Sequence, residues 1–104
     1  MIFVESPVFT EDLADHMTDK RYRELQLFLA VNPDAGDVIQ GTNGLRKIRW
    51  PAGGKGNRGG ARVIYYYVCS ASQIRLILIY RKGVKDDLSS DERKILCDIN
   101  RGWN

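Results

Sequence analysis

The sequence of 104 residues is 43% apolar and 28% charged, which suits one compact domain over residues 1–104 and excludes general disorder. No apolar run is long enough to span a membrane, and Met1-Ile2-Phe3-Val4-Glu5 lacks the basic start of a secretory signal, so a cytoplasmic protein without a membrane partner is expected. The formal net charge of +3 hides a segregation: ten Lys and Arg and no acid lie between Val38 and Lys85, with all thirteen acids outside that segment, an address for a polyanion such as nucleic acid.

Ile2-Phe3-Val4 predicts a short opening strand that ends at Pro7. Thr10, followed by Glu11 and Asp12, reads as a helix cap with acids in the first turn, and Leu13, Ala14 and Met17 supply a short apolar stripe. A second helix starts at Thr18 or Asp19. Its face is Tyr22, Leu25, Phe28 and Leu29, and Asn32-Pro33 ends it. Beyond the loop glycines Gly36, Gly41 and Gly44 the period changes from helical to alternating. Strands are expected near 45–50, 61–69 and 74–82, with Ile74, Leu76, Leu78 and Tyr80 on one side of the last and Arg75, Ile77, Ile79 and Arg81 on the other. The short connection Ser70-Ala71-Ser72-Gln73 makes the last two an antiparallel hairpin, apolar enough to be covered on much of both faces. Ser89 and Glu92 have capping-box spacing and open a final helix with Ile95, Leu96, Ile99 and Trp103 on its apolar side. The order β-α-α-β-β-β-α is an α+β fold, an antiparallel sheet with a helical hairpin and the other helix over one face.

Few residues offer hydrolytic chemistry. His16, the only histidine, stands among Asp12, Asp15 and Asp19 and reads as a solvated surface residue, so a two-imidazole mechanism is unavailable. Cys69 and Cys97 match no metal-ligand spacing and are expected to be free thiols. The acids show no metal-binding pattern, and neither a metal nor a cofactor is expected. The loop from Gly53 to Gly60 lacks the GxxxxGK[ST] order and leads into a strand, which argues against a nucleotide site. Cations are what remain. Lys47 and Arg49 share a face of a regular strand, and in an antiparallel meander Arg62 comes near Arg49, with Arg81 and Lys82 closing the next strand. Such a patch suits a phosphate whose negative charge grows in a transition state.

The runs Gly44-Leu45-Arg46-Lys47-Ile48-Arg49 and Lys55-Gly56-Asn57-Arg58-Gly59-Gly60-Ala61-Arg62-Val63-Ile64-Tyr65-Tyr66 resemble the signature of HigB-type toxins in the RelE superfamily. So do Asp37-Val38-Ile39-Gln40-Gly41-Thr42, Ile79-Tyr80-Arg81-Lys82, Asp87-Leu88 and the closing helix. The resemblance covers nearly the whole chain and implies the toxin of a type II toxin–antitoxin pair. Such toxins are metal-independent endoribonucleases that bind the ribosome, cut mRNA in its decoding site and so inhibit translation. A cognate antitoxin and ribosomal RNA are the implied partners, with DNA met only through the antitoxin. By position Lys47, Arg49, Arg62 and Lys82 match the catalytic cations, and Lys47, held among other cations, is the candidate general base. Arg46, Lys55, Arg58 and Arg81 are expected to hold RNA backbone. Leu88 stands where relatives place a functional tyrosine, for which Tyr80 is the available substitute. Two other classes fit the fold: a ParE-type gyrase-inhibiting toxin and a non-catalytic RNA-binding module.

Overall fold

The computed structural model describes residues 1–53, 60–81 and 88–103. Strand β1 (Ile2–Glu5) runs directly into the cap of α1 (Pro7–His16). Ser6 Oγ accepts the Phe9 amide and donates to the Ile77 carbonyl at 2.7 Å, and Pro7 fills the first helical position, where a missing N–H leaves nothing unpaired. The helix thus begins before Thr10, the expected cap; the Thr10 hydroxyl instead donates to Glu5 at 2.6 Å. Thr18 caps α2 (Asp19–Val31) by accepting the Arg21 amide, as its sequence predicts.

The remaining strands are β2 (Asp37–Val38), β3 (Arg46–Trp50), β4 (Ala61–Val68) and β5 (Gln73–Arg81). They lie in the order β1-β5-β4-β3-β2. The antiparallel meander β3-β4-β5 is the expected one. At one edge β1 pairs with β5 in parallel, which departs from an all-antiparallel sheet. Parallel neighbours need a crossover, and here it is all the chain between them. At the other edge the two-residue β2 is a strand that no alternating run announces. Both thiols are free.

Phe9, Leu25 and Leu29 of the hairpin pack on Ile48, Val63, Tyr65, Ile74, Leu76 and Ile79. The final helix, α3 (Ser90–Arg101), has the expected capping box between Ser89 and Glu92. It lies on the opposite face, not beside the hairpin, because Leu45, Ile64, Ile77 and Tyr80 form a second apolar surface. Leu96 and Cys97 cover that surface, whereas Ile95 and Ile99, expected to be buried, are 57% and 39% exposed.

A one-residue bulge in β5 shifts the faces. Ile64 pairs with Leu78 and Tyr65 with Leu76, so Ile77 is the extra residue. Beyond it the alternation changes phase. Ile79 joins the hairpin-side core while Ile77, Leu78 and Tyr80 take the α3 side, unlike the regular alternation expected for this strand.

Tyr22 donates to Glu5 at 2.5 Å and the buried Tyr65 hydroxyl accepts the Gly36 amide at 2.8 Å. Burial pushes both phenols above their ordinary titration range, and the Glu5 carboxylate raises Tyr22 further.

Gly60, immediately before β4, has φ +71°, and a Cβ there would lie 2.4 Å from the Trp50 carbonyl oxygen. Gly41 has a similar φ of +76° but open space around its missing Cβ. Gly60→Ala is expected to cost about 3 kcal/mol or more, the left-handed penalty plus a backbone clash. Gly41→Ala should cost only about 1–2 kcal/mol. Urea denaturation midpoints of the two variants check the difference; equal losses would count against the clash.

Candidate functional site

Register brings two of the candidate catalytic residues together with Tyr80. Arg49 lies directly opposite Arg62, and Arg62 opposite Tyr80, so the three form a row across β3, β4 and β5. Directly opposed side chains start about 5 Å apart at Cβ. Lys47 is on the same face of β3, about 7 Å from Arg49 along the strand. This is the face that α3 covers in part. Arg49 is exposed, and Lys47 and Arg62 are half-buried, so the cations reach solvent from a sheet that fixes their spacing.

Tyr80 completes the row from within the core: it is 8% exposed and packed with Leu88 and Leu96. That burial removes the open ring face that base stacking requires. Leu88, where the resembled toxins carry tyrosine, is itself 4% exposed and part of that core.

Two other expected RNA contacts point elsewhere. Arg46 pairs with Tyr65 on the hairpin face and donates to the carbonyls of Asp34 and Gly36, which ties down the segment before β2. Arg81 pairs with Ala61, also on the hairpin face, and donates to the Asp15 carbonyl at 3.3 Å. The bulge in β5 is why Arg81 lies away from Arg62. Lys55, Arg58 and Lys82 lie outside the described residues.

Arg75 and His16 are occupied in the fold. Arg75 lies between the Tyr66 and Trp103 rings at 5.8 and 5.7 Å and donates to the Asn100 carbonyl and side chain, fastening the end of α3 to the sheet. His16 Nδ1 is 2.9 Å from the Asp12 carbonyl within α1, on the hairpin side and away from the cationic row.

Two residues at the row were not singled out from sequence. Asp37 of β2 lies opposite Lys47, placing a carboxylate beside the lysine on the same face. Arg93 of α3 lines a cleft of about 280 Å³ with Asp37, Gln40 and Lys47. A two-residue strand gives no periodic signal for Asp37. Arg93 could have been found only by knowing which side of α3 meets the sheet.

No family model matches the sequence. Among solved structures the chain is similar to the free state of a double mutant of the E. coli toxin RelE, with a TM-score of 0.61, 11% identity, and coverage of 98% of this chain and 97% of that one. A likeness running the length of both chains at so low an identity is one of architecture, and the mixed five-stranded sheet with three α-helices among the described residues is a RelE-like α+β fold.

Proposed function

We propose that the chain is a HigB-type toxin of a type II toxin–antitoxin pair, acting as a ribosome-dependent mRNA endoribonuclease that inhibits translation in the cytoplasm. The observation that carries this reading is the register of Arg49 against Arg62, with Lys47 on the same face. Its likeness in fold to the toxin RelE supports it. Ribosomal RNA, the message and a cognate antitoxin are the partners, and DNA is reached only through the antitoxin.

In the reaction the ribose 2′-oxygen attacks the adjacent phosphorus and the 5′-oxygen leaves, giving a 2′,3′-cyclic phosphate and a 5′-hydroxyl end. Lys47, beside the row on β3, takes the 2′-hydroxyl proton as a neutral amine, and the ammonium so formed returns a proton to the departing 5′-oxygen. Arg49 and Arg62 meet the charge that grows on the phosphate oxygens, and their planar guanidinium groups suit two oxygens at once. Lys82 joins them in this assignment. The chemistry calls for no metal, since ammonium and guanidinium groups carry the charge compensation.

Inducing the chain in bacteria and mapping transcript ends by primer extension tests the reading. Cuts in phase with codons, found only within translated regions, are the expected result. Intact transcripts with altered plasmid supercoiling would replace it by gyrase inhibition.

A further inference from the structure

The cleft beside Lys47 is the first part of a longer channel. It shares Gln40 and Arg93 with a cleft of about 390 Å³ that runs between Gly41–Asn43 and the outer side of α3, where Lys94 and Arg101 stand. A third space of about 380 Å³ continues from Asn43 and Arg101 to Tyr66 and Trp103. The wall opposite α3 is firmly built. Ile39 donates its amide to the Leu45 carbonyl and Thr42 Oγ1 donates to the Ile39 carbonyl, while the Cys97 thiol of α3 meets the Gly41 carbonyl and joins the two sides beneath the cleft. Gly41 presents bare backbone with nothing near its missing Cβ, so a strand can approach closely there.

The charges in this channel favour a polyanion. Around its first two spaces Lys47, Arg93, Lys94 and Arg101 face Asp37 and Asp98, four cations against two acids among the described residues. The Arg101–Asp98 pair is 3.7 Å apart and largely exposed, so it is weak and easily exchanged for a phosphate contact. We infer that the RNA strand flanking the cut leaves the Arg49–Arg62 row through this channel, its backbone held by Arg93, Lys94 and Arg101. The inference rests on the proposed ribonuclease reading and adds a path for the substrate. It also explains why a helix of twelve residues covers only part of the cationic face: the open side of α3 is the strand's track. The cationic side chains and the bare backbone at Gly41 fit contacts to phosphate and sugar, which position a strand without reading its bases.

Binding of a single-stranded RNA octanucleotide, 2′-O-methylated throughout so that it cannot be cut, is measured by anisotropy against salt. Lys94→Ala/Arg101→Ala is expected to lower the log–log salt slope by about 1.4, two contacts of about 0.7 each. Lys20→Ala/Arg23→Ala removes the same charge from exposed positions on α2 and should leave the slope nearly unchanged. Asp98→Asn should tighten binding. An unchanged slope for Lys94→Ala/Arg101→Ala, or an equal fall in the α2 control, overturns the channel. Arg49→Ala/Arg62→Ala separates the two levels. If it lowers the slope while Lys94→Ala/Arg101→Ala does not, the channel fails and the cationic row stands. If it leaves both binding and cleavage of a ribosome-bound message unchanged, the ribonuclease reading itself fails.

Discussion

Arg62→Ala should slow cleavage of a ribosome-bound message by about 10²-fold or more, the usual loss when one donor to transition-state charge is removed. Arg62 is the middle member of its row, opposed by Arg49 on one side and Tyr80 on the other, so no neighbouring strand residue can take over its position. It is half-buried and outside both apolar clusters, and its truncation should change stability by no more than about 0.5–1 kcal/mol. Arg62→Lys keeps the charge but loses the planar fork and should recover only part of the rate. Single-turnover cleavage combined with thermal unfolding separates the two effects. A stable Arg62→Ala protein that cuts at the original rate would remove this residue from the mechanism.

The same message presented without a ribosome should be cut on the order of 10³-fold more slowly or worse, because orientation of the reacting groups would then be missing. The geometry gives the reason. The chain's imidazole is held within α1 on the hairpin side, and Tyr80 is enclosed by Leu88 and Leu96. Among the described residues the cationic row is therefore well supplied with charge, and Lys47 with the neighbouring Asp37 is what it offers for proton transfer. Holding the 2′-hydroxyl in line with the phosphate is the contribution left for a large partner. Incubating pure protein with one message, bare or in a stalled translation complex, gives the ratio. Equal rates would identify a self-sufficient nuclease.

Much of this arrangement was legible in the residues, and the failures share a cause. The caps at Thr18 and Ser89 are local chemistry, a hydroxyl meeting an amide within one turn, and both form as read. The approach of Arg49 to Arg62 followed from meander geometry. Thr10 failed as a cap because Ser6 has a further partner, the Ile77 carbonyl, that lies far away in sequence. Arg81 was assigned to the wrong face because alternation cannot reveal a bulge, and one extra residue reverses every side chain after it. Ile95 and Ile99 looked like core because helical spacing names a stripe without saying which stripe meets the sheet. Arg93 was missed for the same reason. Local capping chemistry and meander pairing were readable; which distant surface a segment meets was not.

The parallel pairing of β1 with β5 has a consequence for how the protein comes into being. Ser6 and its partner Ile77 are 71 positions apart, and at about 5–20 residues per second the ribosome needs roughly 4–14 s to make that interval. During this time β1 has emerged but has no strand to join, and α1 has no β5 to lie on. The row is also incomplete until β5 supplies Tyr80 beside Arg62. Such long-range closure is slow in folding as well as late in synthesis. For a protein proposed to attack messages during translation, this order of assembly acts as a built-in delay: the cationic row is complete only after β5 has been made.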